Sequence, residues 1–159
     1  MRKYLLHILI ISVVFLLAPT AQVASHAGEL EDAKEEVRKY PDEAWAHGLL
    51  GIAYGKLGKY KEAIESFKQA IMIDPDDAST HYNLGHAYGM SARHGNESIE
   101  SYKHAIRIDP DFADAHYNLG VCYIGIRDKS SALRQHKILK KLDTKLAKRL
   151  LGMILTELD

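Results

Sequence analysis

Nine histidines and a single cysteine are the side chains of this 159-residue chain best suited to metal or nucleophilic chemistry. Their spacing serves neither. No HExxH or CxxC string occurs, and no pair of histidines is flanked by carboxylates at ligand intervals. No G-x-S-x-G elbow, phosphate-binding glycine loop or dinucleotide fingerprint is present, and no Ser/His/Asp set stands out. Cys122 has no activating neighbours, so it reads as a packed, Ala-sized residue rather than a nucleophile. The expectation is a protein without catalysis, metal or cofactor. A histidine-based metal protein or enzyme is the rival class. Tightly bound metal, or hydrolytic activity abolished with one histidine, would favour it.

Binding chemistry of another kind recurs on a fixed rhythm. The string HYNLG runs from His81 to Gly85 and again from His116 to Gly120. IDPD precedes each copy, and a tyrosine, Tyr88 or Tyr123, follows each. Pro41, Pro75 and Pro110 keep intervals of 34 and 35, as do Gly51, Gly85 and Gly120. Self-similarity at such a period marks an array of small structural units. His47, His81 and His116 hold matching places, which suits a packing ladder between repeats better than a ligand set.

The elements that carry these residues are helices. Ala63, Ile64, Phe67, Ala70 and Ile71 fall at i, i+3, i+4, i+7 spacing, and Ala46, Leu49, Leu50, Ala53, Tyr54 and Leu57 do so before them. Gly58 is placed to end the earlier helix, and Pro75 stops the later one. The spacing predicts helix pairs near 43–57 and 60–73, 77–91 and 96–108, and 112–126 and 129–141. A first helix is expected near 29–40 and a last near 144–158. In the last, Leu146, Leu150, Ile154 and Leu158 form one apolar stripe, which suits a lid over the third pair. Gly51, Gly85 and Gly120 are expected to let the second helix of each pair approach closely. The second repeat carries one extra residue between Ser91 and Asn96, expected in a surface loop.

Leu50-Gly51, Tyr54, Gly58, Tyr60, Ala63, Phe67, Ala70 and Pro75 together resemble the tetratricopeptide repeat. Leu84-Gly85, Tyr88, Tyr102, Ala105 and Pro110 keep the pattern, as do Leu119-Gly120, Tyr123 and Ala132. His136 and Thr144 depart from it, standing where the pattern has an aromatic residue and a proline. The resemblance implies an all-α helix-turn-helix solenoid. The expected organisation is an export segment over 1–27 and a half-repeat capping helix over 28–41. Three repeats follow over 42–75, 76–110 and 111–143, then a capping helix over 144–159.

The resemblance also implies that the first helix of each pair lines a concave groove. Tyr82, Asn83, His86, Tyr117 and Asn118 would then face it as a peptide-binding set. An amide offers both donor and acceptor to any peptide group, and tyrosine adds rigid apolar area with a polar tip. Leu49 stands where the first repeat would need its Asn, so the amide ladder has two rungs. Trp45, Gly48, Ile52, Lys56, Asp114 and Val121 are further groove candidates. The alternative is that the two tyrosines pack between repeats and the amides are solvated. The Lys/Asn/Arg set that grips a C-terminal carboxylate in some members of the family is missing at the matching positions.

The amino terminus reads as a secretory signal. Arg2 and Lys3 precede an apolar run from Ile8 to Ala18, and small residues lead to a cut after Ala27. Retention as an inner-membrane anchor is the alternative, but the run is shorter than the roughly 18 residues a spanning helix needs. Cleavage would leave a chain of net charge near −2, with no electrostatic reason to bind nucleic acid. With one cysteine no internal disulfide can form, so the core alone must hold an exported domain. The expected work is binding a protein or peptide partner, as a scaffold or assembly factor in the periplasm, with no small-molecule substrate. Self-association through the last helix is the alternative within that class.

Overall fold

Eight helical segments follow one another in a computed structural model that describes residues 25–91 and 95–157. Residues 25–39 form α1. Then come α2 (Ala44–Lys56), α3 (Tyr60–Ile73), α4 (Ala78–Met90), α5 (Gly95–Ile108), α6 (Ala113–Gly125), α7 (Lys129–Leu142) and α8 (Thr144–Glu157). Among the described residues there is no strand. The helices fall where the periodicity predicts them, with ends shifted by a residue or so and α1 beginning further upstream. The expected export segment lies outside the described residues except for residues 25–27, which are helical.

The turns use local chemistry. Asp77 caps α4 by accepting from the backbone N–H groups of Ser79 and Thr80, and Asp128 caps α7 through Ser131 N–H. Gly58 ends α2 with φ +70°, the left-handed region that suits glycine. Arg127 takes the same conformation, φ 61°, at the matching place after α6. A single residue, Asp143, links α7 to α8 and accepts from the N–H groups of Lys145 and Leu146.

The histidine ladder has a definite role. A ring Nε2 of His47, His81 and His116 lies 2.7, 3.0 and 2.9 Å from the carbonyl oxygens of Pro41, Pro75 and Pro110. A carbonyl only accepts, so each Nε2 carries the proton and donates. Each bond ties the first helix of a pair to the turn that precedes it.

Burial is divided into small clusters strung along the chain. Leu30, Ala33 and Ala53 join α1 to α2, and Ala63, Ile64, Phe67, Leu84 and Ala87 join α3 to α4. Ile99, Tyr102 and Leu119 join α5 to α6, and Leu139, Leu150 and Ile154 belong to the last cluster, across α6, α7 and α8. Tyr54 and Tyr123 each pack against two clusters and so bridge neighbouring repeats. Stability of this kind is a sum of neighbour interfaces rather than one central core. Leu84 and Leu119 are buried, whereas Leu50 at the matching place and Cys122 are only half-buried.

The glycines work as predicted in two pairs and differently in the third. A Cβ on Gly51 would stand 2.6 Å from the Phe67 ring, and one on Gly85 would stand 2.9 Å from Tyr102. Each glycine thus admits an aromatic of its partner helix. A Cβ on Gly120 would instead meet Leu150 of α8, at 2.5 Å. His136 occupies the matching place on α7, and its Nδ1 reaches the Ala147 carbonyl at 3.0 Å. The last helix therefore fills the space that an aromatic residue fills in the earlier pairs. Its inner face is Ala147, Leu150 and Ile154, with Leu146 only half-buried, so the expected stripe is turned by part of a residue's angle.

Candidate functional site

Curvature follows from which helices meet. α2 touches α4 and α4 touches α6, while α3, α5 and α7 do not touch one another. The stack is closed up on the first-helix side, so that side is the inner face. The positions expected to line a groove lie on it.

They are not equivalent. Tyr82 packs its ring against Phe112 and Tyr102, with centroids 4.9 and 5.7 Å away, and its hydroxyl accepts from Asn118 Nδ2 at 3.0 Å. Burial, together with the charge of Asp114, pushes its phenol pKa up, so the hydroxyl keeps a proton that it can donate. Tyr117 is covered by α8. Its hydroxyl donates to Met153 Sδ at 3.6 Å, and the Arg149 guanidinium lies 5.0 Å over its ring. These two tyrosines thus join repeats, and Asn118 is half engaged. Asn83 and His86 are different: among the described residues neither side chain makes a hydrogen bond. Both line a cleft of about 250 Å³ with Ile52, Gly55, Lys56 and Tyr60.

The same five letters behave differently because of the helix in front. Tyr82 faces Asn118 from α4. The residue of α2 that matches Tyr82 is Gly48, which has no side chain to offer Asn83. Behind Tyr117 stands Met153 of α8, at the spacing that relates Tyr82 to Asn118.

Sequence reasoning undervalued the α1–α2 end. Trp45, Leu49 and Ile52 stand 46, 45 and 40% exposed at i, i+4, i+7 on α2. Tyr40 packs against Trp45 at a tilt, with ring centroids 5.2 Å apart. Leu49 and Ile52 line a second cleft of about 250 Å³ with Glu29, Asp32 and Glu36 of α1. The available signal was that α2 is apolar on all sides, more than one buried stripe requires. Cys122 lies 3.6 Å from the Ser98 hydroxyl, and burial pushes its thiol pKa up, which disfavours the thiolate. Among the described residues no three His, Cys, Asp or Glu side chains converge as a metal site, and no helix is long and apolar enough to cross a membrane.

Helical pairs in this register, with a glycine-to-aromatic contact inside the pair and first helices on the inner face, define an α-helical repeat solenoid. The TPR repeat family model matches residues 53–91 and 96–124, which are therefore tetratricopeptide repeats within the solenoid. Among solved structures it resembles MamA, with 21% identity and a TM-score of 0.71 over 84% of this chain and 89% of that one. It resembles the TPR2B domain of yeast Sti1 in its pHsp70 complex, with 21% identity and a TM-score of 0.67 over 71 and 96% of the two chains. It also resembles the first TPR of Spaghetti (RPAP3) bound to the HSP90 peptide SRMEEVD, with 20% identity and a TM-score of 0.67 over 72 and 91%. At these identities the likeness is one of fold. No curated protein sequence matches the chain.

Proposed function

We propose that this protein is an exported, non-catalytic scaffold whose inner face binds an extended segment of a partner protein. The observation that carries the reading is the unsatisfied surface beside α2 and α4. Asn83 offers a free amide, Ile52 and Leu49 expose apolar area in the two clefts, and Trp45 is exposed one turn before Leu49. A peptide backbone would pair with the amide, and its side chains would cover the apolar stripe. Two of the matched structures hold peptide partners of their own, the yeast Sti1 domain with pHsp70 and the RPAP3 domain with an HSP90 peptide, which supports using this face in the same way. An acidic tail is not the expected ligand, since Glu29, Asp32 and Glu36 flank the α1–α2 cleft. The apolar run at Ile8–Ala18 supports export to a periplasm, and the mass of the mature amino terminus tests it, with Gly28 expected first.

The binding test is in-cell crosslinking and capture of the tagged full-length chain beside a Leu49→Ala, Ile52→Ala, Asn83→Ala, His86→Ala variant. Tyr82 and Tyr117 are left in place because they pack between repeats. A partner held by wild type and lost by the variant supports the groove. A partner held by both moves the site elsewhere, first to the outer face of α8, where Leu155 is 52% exposed.

A further inference from the structure

Charge is unevenly spread along the chain. Residues 28–126 hold seventeen acidic side chains against ten basic ones, whereas residues 127–159 hold nine basic against four acidic. The basic excess gathers on α7, the one-residue elbow at Asp143, and the start of α8. Lys137, Lys140, Lys141, Lys145 and Lys148 are all exposed. Among the described residues none of the five has an ion-pair partner. Elsewhere Lys34, Arg38, Lys39, Lys56, Lys68 and Lys103 each hold a carboxylate.

Fold stability does not account for the cluster. Lys140 and Lys141 sit in the last turn of α7, where the helix dipole favours cations. Lys145 and Lys148 sit at the start of α8, where it disfavours them, and that helix has no acidic residue in its first turn. Five like charges gathered around one elbow also repel one another.

We propose that the α7–α8 elbow docks on an anionic bilayer surface through these five lysines. All five are flexible point charges, suited to a diffuse headgroup field. Apolar side chains stand among them. Ile138, 38% exposed, shares a nook of about 250 Å³ with Lys137, Lys141, Leu142 and Asp111. Leu155 is exposed two turns beyond Lys148. Such residues enter the headgroup layer beside bound lysines. The acidic excess of the rest of the chain is repelled by the same surface and so orients the molecule on it.

Flotation of the full chain with vesicles tests this, comparing phosphatidylcholine with phosphatidylglycerol against phosphatidylcholine alone. Wild type is run beside a variant with Lys137, Lys140, Lys141, Lys145 and Lys148 all replaced by Gln, its fold checked by circular dichroism. Residues 1–27 are the same in both proteins, so they cannot produce a difference between them. The expected result is partitioning onto anionic vesicles lowered roughly a thousandfold or more in the variant, at about 1 kcal/mol per lysine, with neutral vesicles unaffected. Equal partitioning of the two proteins on anionic vesicles overturns the proposal. Lysine-dependent binding to polyglutamate without any to vesicles also overturns it, in favour of an acidic protein partner.

Discussion

Leu150 occupies the space that a side chain on Gly120 would need, its Cδ2 lying 2.5 Å from the position of that Cβ. In the two earlier pairs the matching space belongs to Phe67 and Tyr102. The capping helix is therefore an integral part of the third pair's core, and Leu150 is fully buried. Leu150→Ala should cost about 2–5 kcal/mol and Gly120→Ala about 1–3 kcal/mol. The double variant should lose less than their sum, because the new methyl group enters the space that Leu150 vacates. Urea unfolding of the three variants measures the coupling, and strict additivity would mean that the two sites do not share that space.

The glycines of α2 can be told apart by the same reasoning. A methyl group on Gly51 would collide with the buried Phe67 ring, whereas one on Gly55 meets nothing within 4 Å. Gly51→Ala should destabilise by about 1–3 kcal/mol. Gly55→Ala should stabilise by up to about 1 kcal/mol through helix propensity. Gly85→Leu should wedge α4 from α5 and cost several kcal/mol, of order 3, read as a drop in melting temperature.

Arg127 carries backbone strain that Gly58 avoids at the matching turn. Arg127→Gly should raise stability by about 0.5–1 kcal/mol, since a left-handed residue with a Cβ costs roughly 1–2 kcal/mol and glycine returns part of that as entropy. Thermal unfolding at matched concentration gives the sign.

Asp128 is held at a pKa of about 2, below the ordinary 3.8, chiefly by hydrogen bonds from the Ser131 hydroxyl and N–H and from the Ser130 hydroxyl. The carboxylate form is the one the fold favours. Its contribution is complete above about pH 4 and is lost as pH falls towards 2. Asp128→Ala should therefore be less stable than wild type at neutral pH, with the gap closing across that window. A gap that stays constant from pH 6 to pH 2 would contradict the assignment of Asp128 as a charged cap.

Much of the fold was legible because one pattern is written three times. Proline, glycine and tyrosine mark the same places in each copy, and the apolar spacing between them admits only helices. The placement of α8 was less legible. Thr144 and His136 show that the pattern lapses, but not that a one-residue link would bring Leu150 against Gly120. The site was half legible for a similar reason. HYNLG fixes which residues lie on the inner face, while their freedom depends on the neighbouring helix. Tyr82 engages Asn118, Gly48 leaves Asn83 unengaged, and Met153 and Arg149 cover Tyr117. The exposed stripe at Trp45, Leu49 and Ile52 was hidden among buried apolar residues of the same helix.

The most direct test of the central claim places a photo-crosslinking amino acid in the full-length chain, in one variant at Ile52 or His86 on the inner face and in another at Gln69 or Met72 on the outer face. All four positions are exposed, so the probe leaves the core alone. Partner segments captured from the inner positions and not from the outer ones are the predicted result. Capture from the outer positions alone would contradict a binding groove on the first-helix side.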